Sequence, residues 1–165
     1  MKRLFRFPNP VNEVSARLVA FGNVVMAALA LALQQEWLVV AMAYGFVAHV
    51  LAGPTFSPLA RLVTQGITPR LPVEKRYVPG PPKRFAQAIG AVLTVTAVAL
   101  LFGFGLAAPA WALVALILFF ASLESFLGFC AGCEIFALLL RAGLIPTSVC
   151  EECADVRPRL LQRAA

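Results

Sequence analysis

The chain has 165 residues, 61% of them hydrophobic and only 13% charged, with a mean hydropathy of +0.84. Soluble domains carry about 25% charged residues, so this composition excludes an ordinary soluble globular protein and points to an integral membrane protein of one domain. The net charge of +6 comes from basic residues set between apolar runs. That is a membrane-topology pattern, so the bilayer is the expected partner and no nucleic acid is expected.

The first 16 residues form a basic arm in which Phe5 and Phe7 suit the membrane interface. The arm lacks a short apolar core with a small-residue cleavage site, so the first apolar run is read as a retained helix. Pro10-Val11-Asn12-Glu13 reads as a turn into that helix, with Asn9 or Asn12 as cap. Leu18 to Leu33 and Trp37 to Ala52 are apolar runs at the short end of what a span requires, roughly 17–25 residues. Gln34-Gln35-Glu36 joins them as a tight hairpin, and Trp37 is placed as an interface anchor.

Residues 53–84 form a long polar connection. Ser57-Pro58 reads as an N-cap followed by proline in the first turn. Leu59, Leu62, Val63 and Ile67 then follow at helical spacing, which predicts a short amphipathic helix on the membrane surface. Pro69 to Pro82 holds five prolines and Lys75-Arg76, and is expected to be extended. Lys83-Arg84 anchors a third span from Phe85. Gly103-Phe104-Gly105 and Pro109 make the next turn, and Trp111 to Phe129 forms the fourth span. Thr94, Thr96, Ser122 and Ser125 suit helix–helix contacts. The predicted fold is an all-α membrane protein with four transmembrane helices over about 17–34, 36–53, 85–103 and 109–129, a short interfacial helix in the central loop, and a cysteine-containing helical tail over 130–165.

The connections 34–36 and 103–109 contain no Lys or Arg; all 14 basic residues lie in the N-terminal arm and its junction, in 53–84, or after Phe129. Basic loops stay cytoplasmic, so both termini are expected inside a cytoplasmic membrane.

All four cysteines lie near the C-terminus as two pairs, Cys130-Ala131-Gly132-Cys133 and Cys150-Glu151-Glu152-Cys153, with 16 residues between. Four thiolates at this spacing can close a zinc site or hold an iron–sulfur cluster. The same residues can instead be two dithiols that pass electrons or a sulfane sulfur. Buried cysteines that merely fill helix contacts are the bland reading, which suits one cysteine better than two spaced pairs. On a continued helix Cys130 and Cys133 share one face, in a partly apolar site that opposes thiolate formation. Ser148 and Glu151 fit a capping box that puts Cys150 in a first helical turn, where amides favour a thiolate while Glu151, Glu152 and Asp155 oppose it. The stretch from Glu134 to Ile145 is too apolar for water and too short to span. It is expected as a helix in the interface or against the bundle, stopped at Gly143, with Cys150 and Cys153 folded back beside Cys130 and Cys133.

Glu124 is the main intramembrane charge, read either as an acid/base group or as a structural contact, for instance with Arg17. His49, the only histidine, reads as a packing residue ahead of a ligand. Phe126, Phe129 and Phe136 pack the bundle; a quinone pocket would need such residues too. No phosphate-binding glycine loop, catalytic carboxylate pair or serine triad is present.

Several motifs together resemble the bacterial membrane-protein family termed domain of unknown function 4395. They are Pro10-Val11-Asn12-Glu13 with Arg17, Gly53-Pro54 through Ser57-Pro58-Leu59-Ala60, and Pro82-Lys83-Arg84-Phe85-Ala86 with Gly90. Glu124, Gly128-Phe129-Cys130-Ala131-Gly132-Cys133, Gly143-Leu144-Ile145-Pro146, Cys150 and Cys153 complete the set. The resemblance implies a small integral membrane protein with a cysteine-containing C-terminal part, and carries over no catalytic residue. The expected function is a membrane thiol protein that exchanges electrons or sulfane sulfur through Cys130, Cys133, Cys150 and Cys153 with a cytosolic thioredoxin-like or sulfurtransferase-like partner. The alternatives are a structural four-cysteine zinc or iron–sulfur site, and transport of a small sulfur compound.

Overall fold

The computed structural model describes residues 9–70, 72, 77–146 and 149–150. Its long helices are α1 (Glu13–Leu33), α2 (Glu36–Ala52), α4 (Gly80–Val98) and α5 (Ala107–Ser122). The short α3 (Pro58–Arg61) follows α2, and α6 (Ala131–Arg141) follows α5. α4 and α5 each run on into a wider π turn, Ala99–Gly103 and Leu123–Leu127. Among the described residues, four helical runs are long and apolar enough to cross a membrane. This is the architecture of an all-α, multi-pass membrane protein.

The four long helices close into a ring. α1 packs on α2 and α5, and α4 packs on the same two neighbours. Small residues let the backbones approach: Ala27, Ala30, Ala97 and Ala110 are fully buried, and Met42, Phe46, Val114 and Ile117 fill the space between them. The outer faces are as apolar as the core. Phe21, Val25 and Leu29 form one exposed stripe on α1, and Leu116, Phe119 and Phe120 lie exposed on α5. In water such a surface would aggregate; in lipid it costs nothing, and association rests on close packing. Gly90 shows that closeness. A Cβ there would run into the Phe46 ring, so the α2–α4 contact depends on the missing side chain.

At one end of the ring, short polar contacts tie the connections to the helices. Strand β1 (Val11–Asn12) pairs antiparallel with β2 (Tyr77–Val78), Val11 opposite Val78 and Asn12 opposite Tyr77. The Asn12 carboxamide accepts from the Val14 N–H at 3.0 Å and caps α1, and Asn9 accepts from the Gly80 N–H at 2.9 Å. The Ser15 and Thr68 hydroxyls share a buried hydrogen bond at 3.0 Å. At the other end Gln34 takes a left-handed conformation in the α1–α2 turn, and Trp37 packs at a tilt on Phe102 with ring centres 5.6 Å apart.

Several expectations need correction. The third span begins at Gly80 and not at Phe85, because Pro81 and Pro82 occupy the first turn, where a missing N–H costs nothing. Lys83 and Arg84 are therefore helical residues. The first span begins at Glu13, next to its cap. Ser57 caps α3 as expected, accepting from the Ala60 N–H at 3.5 Å. The helical run after it does not simply lie on the surface: Ala60 and Val63 are buried against Val19 of α1, and Leu59 packs over Gly22, while Leu62 and Ile67 stay exposed. Thr94 and Ser122 donate to carbonyls of their own helices, Gly90 and Leu118, and so make no polar bond across the bundle. The expectations for Phe5, Phe7, Lys75 and Arg76 lie outside the described residues.

The packing separates two glycines. Gly90→Ala must displace the Phe46 ring and is expected to cost about 1–3 kcal/mol. A Cβ at Gly45 meets nothing within 4 Å, so Gly45→Ala should be neutral, or stabilising by up to about 1 kcal/mol through its helix propensity. Thermal unfolding midpoints in detergent should rank Gly45→Ala at or above the wild type and Gly90→Ala below it.

Candidate functional site

The site is built where α5 ends. Gly128 takes a left-handed conformation, φ +69°, and stops the helix. The last carbonyls of a helix have no partner within it, and here Arg17 supplies one. Its Nε and Nη2 donate to the Ser125 carbonyl at 3.2 and 3.1 Å, and Nη2 donates to the Phe126 carbonyl at 3.0 Å. Arg17 therefore caps a helix and does not pair with Glu124. Glu124 lies within the π turn and meets Lys83 of α4 at 2.5 Å, with side chains only 12% and 16% exposed for Lys83 and Glu124. The partner comes from α4 because α5 packs between α1 and α4, and position 124 faces α4.

Cys130 does not continue α5. Its backbone is extended, φ −100° and ψ 98°, and it is the N-cap of α6. Its carbonyl accepts the Cys133 and Glu134 N–H groups at 3.0 and 3.1 Å. The expectation that the pair shares one face of a continuing helix is thus replaced. Cys130 sits at the mouth of a new helix and Cys133 in its first turn, and the two form a disulfide with α-carbons 5.2 Å apart. Amides at a helix N-terminus favour a thiolate, so this environment belongs to the Cys130 pair. Cys130 is buried, and Cys133 is partly exposed.

The residues between the cysteines are set by packing. A Cβ on Gly132 would lie 2.6 Å from the Ala86 α-carbon of α4, so α6 rests directly on the α4 backbone at the CxxC turn. Phe85 and Phe136 continue the contact, ring centres 5.6 Å apart. Lys83 lies three residues before Ala86, one helical turn away, so the ion pair with Glu124 and the disulfide turn share one stretch of α4.

α6 ends as expected, with Gly143 at φ +73°. The chain then returns, and Cys150 is buried in a cluster with Phe136 and Leu140. These lie three and seven residues past Cys133, so Cys150 packs against α6 one to two turns beyond the disulfide. Cys150 is itself not a free thiol. Cys153, with Ser148, Glu151, Glu152 and Asp155, lies outside the described residues. A shared zinc or iron–sulfur centre needs its thiolates gathered within about 2.3 Å of one metal ion. Cys130, Cys133 and Cys150 form no such group, and among the described residues no three potential ligands do. His49 lies in the last turn of α2 and lines a cavity that no cysteine lines.

Sequence reasoning missed Lys83 as the partner of Glu124 and Gly132 as a contact glycine. Lys83 carried a signal, since a buried carboxylate calls for a cation at the same depth. Gly132 carried none apart from its place inside CxxC.

A family model described as Domain of unknown function (DUF4395) matches residues 11–141, and the chain belongs to that family. The match includes Cys130 and Cys133 and stops before Cys150. No curated protein and no solved structure matches the chain.

Two substitutions probe this geometry. Gly132→Ala meets backbone and cannot be relieved by a rotamer, so it should free α6 from α4 and speed proteolysis after Arg141 while the four long helices keep their far-ultraviolet signal. Lys83→Met leaves a largely buried carboxylate alone and should cost about 3 kcal/mol, whereas Lys83→Met with Glu124→Leu should recover most of that loss.

Proposed function

We propose that this protein is a membrane thiol–disulfide exchanger whose working pair is Cys130 and Cys133, passing electrons to or from a soluble thioredoxin-like protein; transfer of sulfane sulfur from a sulfurtransferase-like donor would use the same pair. The observation that carries the reading is the disulfide across the N-cap and first turn of α6. In the reducing direction a thiolate of the partner attacks Sγ of the more exposed Cys133. The Cys130–Cys133 bond breaks and its electron pair goes to Cys130 Sγ, where the helix amides stabilise the thiolate. The second thiolate of the partner then attacks the mixed disulfide, and Cys133 leaves. The protein gains two electrons and two protons, and the partner leaves as its disulfide.

The proposed place is a bacterial cytoplasmic membrane with this end of the bundle in the cytoplasm. Arg17, Lys83 and Arg84 lie at the end that holds the disulfide, and the Gln34–Glu36 connection at the other end has no basic residue. Basic connections favour the cytoplasmic side.

Redox titration with mass-spectrometric thiol counting tests the chemistry. The Cys130–Cys133 pair should open with a midpoint between about −270 and −200 mV, the span from thioredoxin to glutaredoxin; a pair that stays closed or open throughout that span ends the proposal. Cys130→Ser should hold a mixed disulfide at Cys133 that Cys133→Ser cannot form. For orientation, an impermeant maleimide added to intact cells should leave a cysteine introduced at Gln65 unlabelled and label one introduced at Gln35; the reverse result would invert the topology.

A further inference from the structure

We propose that the cavity between α1, α2, α3 and α4 binds a neutral, lipid-soluble molecule through a ring-sized head bearing hydrogen-bonding oxygens, the chemistry of a membrane quinone. This site is separate from the disulfide and does not depend on the thiol reading.

The cavity measures about 140 Å³, close to the ~150 Å³ of an apolar cavity that accepts benzene, so its size suits one six-membered ring. Val19, Met42 and Phe46 give it apolar walls, and Asn23, His49 and Gln87 bring polar groups to it. No Asp, Glu, Lys or Arg lines it. A charged head would therefore enter without a counter-charge, at high cost in an apolar bundle.

Asn23 points to an occupant. It is 9% exposed and lies ten residues into α1, about 15 Å along the helix at ~1.5 Å per residue. Among the described residues its carboxamide makes no hydrogen bond, and no fully enclosed side-chain nitrogen or oxygen is left unsatisfied. The amide thus opens to the cavity. It therefore offers an open hydrogen-bonding position at the cavity, which a carbonyl or hydroxyl oxygen of a bound head fills. His49 lines the cavity from the last turn of α2, so polar groups flank the space at two depths. The way in is from the bilayer. Ala41 and Tyr44, on the same stretch of α2, line the cavity and are exposed on the outer surface, where an apolar tail can leave among lipid chains.

Gln87 lines the cavity, and its neighbour Ala86 meets Gly132. Adjacent helical residues point about 100° apart, so ligand and disulfide occupy different faces of one turn of α4. No sulfur–ligand bond is part of the proposal.

Gly45 supplies the test. It lines the cavity, and a Cβ there touches nothing within 4 Å, so a leucine at this position starts without a clash and adds apolar volume at the cavity wall. The oxidised protein in lipid nanodiscs would be titrated with a fully ring-substituted benzoquinone carrying a decyl tail, with decanol as the ring-free competitor, and read by native mass spectrometry. We expect saturable binding, weakened about tenfold or more by Gly45→Leu at an unchanged or raised melting temperature, weakened about fivefold by Asn23→Leu, and resistant to decanol. Asn23→Leu carries the same test if Gly45→Leu does not fold. Absence of saturable binding, equal affinity in both variants and the wild type, or displacement by decanol as effective as by unlabelled quinone overturns the proposal; the last result would make the cavity an acyl-chain slot.

Discussion

The carbonyls of Ser125 and Phe126 need a donor, and in an apolar bundle water cannot be counted on to supply one. Arg17 reaches across from α1 and donates three hydrogen bonds to them. That contact lets α5 stop at Gly128 inside the molecule instead of running out into solvent. Without the stop, Cys130 would lie mid-helix and its pair would have no helix N-terminus beside it. The chemical character of the first cysteine pair thus follows from an arginine more than a hundred residues earlier in the chain. The same contact locks α1 to α5 at the end where β1 and β2 pair and where Asn9 holds the start of α4.

Charge at this end is spent on structure. Lys83 neutralises Glu124, Arg84 donates to the Val50 carbonyl at the end of α2, and Arg17 caps α5. Each of these three cations meets a helix C-terminal carbonyl or a carboxylate. Arg17 and Arg84, which also count toward the topology pattern, thus supply donors to carbonyls near helix ends, as expected where the backbone must be satisfied within the protein. A charge count alone reads them as anchors and cannot tell these roles apart.

The four spans were legible because apolar length is a one-dimensional signal. Asn12, Ser57, Gly143 and the paired glutamines were legible because caps and turns are local chemistry. The start of α4 was misplaced by five residues because a polar, proline-rich stretch reads as loop, although proline suits a first helical turn. The Lys83–Glu124 pair joins residues 41 positions apart, and the β1–β2 ladder joins segments still farther apart in sequence; neither has a local pattern. The role of Gly132 appears only when α6 is laid on Ala86. In the site, the disulfide-forming pair was legible as a motif, but its position at a helix mouth was not, because it depends on the αL turn at Gly128 and on Arg17 together.

The two cysteine pairs are unequal parts of this molecule. The first is enclosed by the family segment: its turn rests on the α4 backbone, its helix is held by Phe85 and Phe136, and the family match runs to the last residue of that helix. The second begins nine residues beyond the match, and Cys150 meets α6 through Phe136 and Leu140. A chemistry that required all four sulfurs at one centre would need the N-terminal turn of α6 and the returning chain to converge. Among the described residues, Cys150 is buried against Phe136 and Leu140 of α6. The described geometry is thus fullest around the first pair, whose turn, helix and packing partners all lie within the family segment. Both the helix mouth and the Lys83–Glu124 pair meet the same stretch of α4, so packing at this end ties the disulfide to the bundle.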